Sequence, residues 1–134
     1  MPFRRISALF VGSLLASGVS ADPTCNDLCV HIKQVIAVLG ATMEGCDKAF
    51  PKERGAYTKA FKNWRLLSYR IPGLADVLAG KTSEMAAGRA AVAEDFKSPV
   101  DDQAIQCRGY RAKLTAQDLV FPAEWLEPYK PAAQ

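Results

Sequence analysis

The chain has 134 residues and a single histidine, His31. Histidine is the commonest general base and nitrogen ligand near neutral pH, so its scarcity removes most acid–base, triad and metal-cluster constellations. A glycine-rich phosphate loop and a nucleophile elbow are also missing. No apolar run reaches the ~20 residues a membrane-spanning helix needs. Internal repeats and low-complexity segments are lacking, and neither sign of charge dominates, with a formal net of +3. These absences leave no catalytic residue, metal ligand or cofactor-binding residue to assign, and the chain reads as a non-enzyme.

What is present begins at the N-terminus. Arg4 and Arg5 precede Ile6 to Ser20, 15 uncharged residues rich in Leu, Val, Ala and Phe, and Val19-Ser20-Ala21 follows with small residues where a signal peptidase reads. That order predicts a secretory signal peptide over 1–21, cleaved after Ala21, and a single domain over 22–134. Asp22-Pro23-Thr24 before Cys25 argues against a lipoprotein, and Ile6-Ser7-Ala8 after the arginine pair fits twin-arginine export poorly. No later segment reads as a membrane span, and the expected location is periplasmic or secreted. Without Arg4 and Arg5, 15 basic residues face 14 acidic ones, a net of +1. Near-neutral charge and export together exclude nucleic acid as the expected partner.

The domain reads as all-α, a small up-down bundle of about four helices. Leu28, Ile32, Val35, Leu39 and Met43 recur at steps of 4, 3, 4 and 4, which predicts a first helix of about 20 residues capped by Thr24 and ended near Gly45. Phe50-Pro51 opens a second, with Tyr57, Ala60, Phe61, Trp64, Leu67 and Ile71 on one face and Pro72-Gly73 after it. Thr82 or Ser83 caps an alanine-rich third helix to about Lys97. Ser98-Pro99-Val100-Asp101 starts a fourth, with Ser98 as its cap and Pro99 in its first turn. Pro122, Pro128 and Pro131 forbid a long helix beyond it, while Leu119, Phe121, Trp125, Leu126 and Tyr129 are too apolar for a solvated tail. A Pro-rich, aromatic C-terminal strap is the expectation.

Four cysteines in an exported domain imply two disulfides. If a helix joins Cys25 or Cys29 to Cys46, those residues lie ~25 Å apart at 1.5 Å per residue, far beyond the ~7 Å between Cα atoms that a disulfide tolerates. Elimination leaves a Cys46–Cys107 clamp, with Cys25 and Cys29 paired locally or free. A thiol-redox role for Cys25 and Cys29 is an alternative, although three residues separate them where redox motifs have two. A metal site of Cys25, Cys29 and His31 lacks a fourth ligand.

Charge is unevenly spread. Lys48, Lys52, Arg54, Lys59, Lys62, Arg65 and Arg70 face one acid, Glu53, in their segment, whereas six acids crowd residues 76–102, among them the pairs Glu94-Asp95 and Asp101-Asp102. Two oppositely charged helix faces packed side by side explain this simply; a basic face for an acidic partner is the functional reading. The candidate partner surface is Lys52, Arg54, Lys59, Lys62 and Arg65, with Phe121, Trp125 and Tyr129. The leading expectation is thus a small binding protein making protein–protein contact in the cell envelope or exterior, an inhibitor or immunity type being one form. A small-ligand or lipid carrier is the alternative, using a cavity between the helices that carry Tyr57–Ile71 and Met85–Phe96.

Overall fold

A computed structural model describes residues 25–131; the predicted signal peptide and the Thr24 cap lie outside them. Every regular element among the described residues is helical. Helix α1 spans Asp27–Ala49. Asn26 caps it, its side-chain oxygen accepting the Cys29 N–H at 3.0 Å, and Asp27 places negative charge in the first turn. One face, through Cys29, Ile32, Ile36, Leu39, Met43 and Cys46, is buried to 8% exposure or less. Val35, expected on that stripe, is 37% exposed, because Ile36 takes the inward position. Gly45 does not end the helix. Its missing side chain makes room for the ring edge of Phe96, and α1 runs a further turn to Ala49. By length and mean hydropathy (1.2) α1 could also cross a bilayer, contrary to the expectation that no segment after residue 21 could; half of that window is buried inside the domain as core.

Helix α2 is only Ala56–Lys62, α3 is Leu74–Leu78, α4 is Ser83–Asp95, α5 is Val100–Thr115 and α6 is Ala123–Leu126. The chain therefore has six α-helices among the described residues rather than about four, since Leu74–Leu78 and Ala123–Leu126 add short helices of their own, while the expected second helix breaks into α2 and a 3-10 turn at Arg65–Ser68. The division falls at Asn63–Arg65. The Gln117 side chain donates to the Asn63 carbonyl (3.1 Å) and accepts the Arg65 N–H (2.8 Å), while the Trp64 indole donates to the Leu119 carbonyl (2.9 Å). These bonds satisfy backbone groups that an unbroken helix would have paired internally.

The start of α2 is capped from a distance. Gly55, at φ 90°, has no side chain to offer, and Asp47 of α1 substitutes. Its carboxylate accepts the N–H of Tyr57 (3.1 Å) and of Thr58 (3.4 Å) and the Thr58 hydroxyl (2.6 Å). At α4, Thr82 caps the Met85 N–H at 3.3 Å. At α5 the cap position is Pro99, and Ser98 does not cap; its hydroxyl donates to the Asp95 carbonyl instead. Gln103 folds back to donate to the Phe96 and Ser98 carbonyls (3.1 and 2.6 Å), closing that turn.

Helix α4 packs along α1 more extensively than any other helix does. A Cβ on Gly88 would lie 3.2 Å from the Ala37 carbonyl carbon and oxygen, so the two backbones approach as closely as glycine permits. Cys107 of α5 is bonded to Cys46 of α1, with Cα atoms 5.8 Å apart. Cys25 is bonded to Cys29 across 5.0 Å; Cys25 precedes the helix, which frees it from the helical spacing that would hold the pair apart. Two disulfides are compatible with export to an oxidising compartment. Beyond α5 the chain returns along α1. The Trp125 ring meets the His31 ring edge-on at 5.9 Å, Leu126 and Tyr129 are buried, and the Tyr129 carbonyl accepts the Arg70 N–H at 2.8 Å.

The two charged segments do not neutralise each other. Among the described residues the ion pairs are Arg89–Glu44 across α4 and α1 (3.2 Å), Lys97–Glu94 (2.7 Å) and Lys130–Glu127 (3.2 Å). None joins the basic stretch 48–70 to the acidic stretch 76–102. The expected attraction between those faces is replaced by apolar packing of each against α1.

Candidate functional site

Two features stand out, a basic surface around α2 and an apolar groove on the opposite flank of α1's buried stripe. Lys52, Arg54, Lys59, Lys62 and Arg65 are all exposed. None of the five forms an ion pair among the described residues. Arg108 and Arg111, absent from the basic run in the sequence, join them from α5. The Arg111 guanidinium lies 5.7 Å from the Tyr57 ring centre. Tyr57 is wholly buried, and its hydroxyl donates to Glu53. Burial and then this bond to Glu53 push the phenol above its ordinary 10.0, and the positive charges of Arg108 and Arg111 oppose the shift.

The aromatic members of the expected partner surface lie elsewhere. Tyr129 is 7% exposed and belongs to the core. Phe121 and Trp125 are half-buried and stack at 6.0 Å with an interplanar angle of 28°. Arg65 meets the segment after α5 through its backbone bond to Gln117.

Phe121 instead helps to wall the groove, a cavity of about 350 Å³. Its floor is a second stripe of α1, His31, Val35, Val38 and Thr42, spaced 4, 3 and 4 apart. Leu119, Val120 and Phe121 form one wall, and Trp64 and Tyr110 reach in from the side. Trp64 is available because the chain leaves helical geometry there, at ψ 121°. The middle of the floor is aliphatic and open, with Val38 at 40% exposure. Polar groups occur towards its ends. His31 and Gln34 mark one, Thr42 and Tyr110 the other. The Thr42 hydroxyl is already used, donating to the Val38 carbonyl at 2.8 Å.

The sequence places Phe121 on the candidate partner surface and Trp64 on the apolar face of the second helix, but the remaining residues of the site carry no motif. One signal was readable. Val35 and Val38 beside Ile36 and Leu39 give α1 more apolar residues than a single stripe can hold. The expected cavity between the helices carrying Tyr57–Ile71 and Met85–Phe96 is only about 70 Å³, because Phe61, Val77 and Met85 fill that space. Among the described residues no group of three or more His, Cys, Asp or Glu could hold a metal ion, and all the cysteines are paired. Comparison with protein-family models, with curated proteins and with solved structures finds no match to this chain.

Proposed function

We propose that the chain is an exported, non-catalytic binding protein of the periplasm or exterior, and that it acts by protein–protein contact through the basic surface around α2. The observation that carries this reading is the set of five exposed cations, Lys52, Arg54, Lys59, Lys62 and Arg65, without a carboxylate partner among the described residues. A fold does not gain stability from grouping like charges. Such a patch raises the rate and selectivity of encounter with an acidic partner. An inhibitor or immunity-type protein is one form of this role. The disulfides would keep the presenting scaffold rigid outside the cell, and the C-terminal segment would act as a strap that holds α1 against the rest. The test is native capture from an envelope extract, with wild type and a Lys59→Glu/Lys62→Glu variant as paired baits. A partner that is acidic, is retained by wild type at low salt, and is lost both at high salt and by the variant supports the reading. Capture of no partner, or of the same set by both baits, removes it.

A further inference from the structure

We infer that the groove along α1 binds one unbranched aliphatic chain bearing a small uncharged or weakly acidic head, which rests at the His31–Gln34 end. This inference uses a different face from the basic surface and stands or falls separately from it.

Size and length give the same answer. At roughly 30 Å³ for each water-sized group, about 350 Å³ holds about a dozen methylene-sized units. The floor from His31 to Thr42 covers eleven helical steps, or ~16 Å. An extended chain advances about 1.2 Å per bond, so a dozen bonded atoms span ~15 Å. One chain matches the groove in both length and volume, and the groove walls hold no space for a second.

The distribution of polarity selects the occupant further. A peptide laid in the groove would need hydrogen-bond partners along its whole length. The floor is an α-helix whose backbone groups are paired internally, and the aliphatic middle offers none. An alkyl chain needs none there. At one end the His31 imidazole and the Gln34 carboxamide are exposed and carry no hydrogen bond within the described protein, and both can donate to a carboxyl or hydroxyl oxygen. No Lys or Arg lines the groove, so a dianionic head such as a phosphate monoester has no counter-charge. A few placed polar groups at the edge of an apolar concavity are the usual form of a small-molecule site.

The chain's two tryptophans provide the readout, since Trp64 lines the groove and Trp125 stacks on Phe121. The disulfide-bonded protein is titrated with octanoic, decanoic, dodecanoic and tetradecanoic acids below their micellar concentrations, with the matching 1-alkanols and with dodecyl phosphate. The expected result is saturable binding that tightens about fourfold per added methylene, then stops tightening near dodecanoic acid. Alkanols should bind too, and dodecyl phosphate should bind at least about tenfold more weakly. Val38→Glu, at an exposed position in mid-groove, should abolish binding with its circular dichroism and thermal midpoint retained. Ile105→Glu, at an exposed position on α5 outside the groove, should bind as wild type. The proposal is overturned by no saturable signal for any chain length, by unlimited tightening with length, or by wild-type binding in Val38→Glu. A dimer that Val38→Glu dissociates, found without any ligand binding, would also overturn it by making a second copy the occupant.

Discussion

Replacing Asp47 with alanine should destabilise the protein by about 2–3 kcal/mol, although Asp47 does not line the groove. Asp47 is 9% exposed, and its carboxylate accepts three hydrogen bonds at the start of α2, from the Tyr57 and Thr58 N–H groups and the Thr58 hydroxyl. Loss of a helix cap alone costs about 1 kcal/mol. The 2.6 Å hydroxyl bond goes to a charged acceptor, and such bonds contribute about 1.5–3 kcal/mol. The Tyr57 N–H, buried with its residue, would lose its only side-chain acceptor. For a domain of this size each kcal/mol lowers the midpoint by about 4 °C, so thermal denaturation followed by circular dichroism should show a fall of about 8–12 °C. Chemical denaturation should show an unchanged m-value and a lower midpoint concentration. A double-mutant cycle with Thr58→Val should give a coupling of about 1 kcal/mol or more. Asp101→Ala, which removes an exposed first-turn acid of α5, should change stability by less than about 0.5 kcal/mol. If Asp47→Ala and Asp101→Ala prove equivalent, the remote cap contributes nothing and α2 is held by its packing alone.

Removing the Cys46–Cys107 bond by double serine substitution should cost about 4 kcal/mol, against about 2 kcal/mol for Cys25–Cys29, since the first closes a separation of 61 residues and the second of 4; equal losses in chemical denaturation would contradict the loop-entropy account. Gly88→Val should cost about 1–3 kcal/mol by forcing α4 away from the Ala37 backbone, whereas Gly109→Ala, with open space at its Cβ position, should not destabilise; a neutral Gly88→Val in thermal melts would show that the two helices can separate freely. Tyr57 binds its phenolic proton more tightly when folded, so its contribution to stability is complete below pH 10.0 and is lost as pH rises through the higher folded value. Wild-type thermal midpoints should therefore fall more steeply above about pH 10 than those of Tyr57→Phe, and parallel curves for the two would refute the assignment.

Local signals in the chain are legible where both partners are close in sequence. Thr82 and Met85 make a cap three residues apart, as the position of Thr82 before the alanine-rich helix predicts. The pairing of Cys46 with Cys107 follows by elimination, because one uninterrupted helix carries Cys29 and Cys46 to opposite ends. Signals fail where a partner is remote or where two local choices compete. Ser98 has the composition of a cap, yet its hydroxyl turns to the Asp95 carbonyl and leaves Pro99 in the cap position. Gly45 resembles a helix stop, but tertiary contact with Phe96 makes it a site of close packing inside α1. The periodic face Tyr57, Phe61, Trp64, Leu67 supports one long helix, and nothing nearby reveals that Gln117, more than fifty residues on, binds the backbone on both sides of Trp64.

That last failure explains why the groove was invisible. Gln117 has φ 60°, a left-handed conformation disfavoured for a side-chain-bearing residue by roughly 1–2 kcal/mol. The conformation reverses the chain after α5, with Asp118 N–H bonding back to the Lys113 carbonyl at 2.9 Å, and so turns Leu119, Val120 and Phe121 towards α1. The same residue's amide holds open the break that releases Trp64. One left-handed position thus sets both the wall and the side of the cavity, over a floor formed by a second stripe of α1. Among the described residues an apolar concavity of about 350 Å³ is left uncovered between these elements. The Gln117 and Asp118 N–H groups bond back to the Leu114 and Lys113 carbonyls, the usual left-handed close of a helix, so the wall of the concavity follows from the way α5 ends.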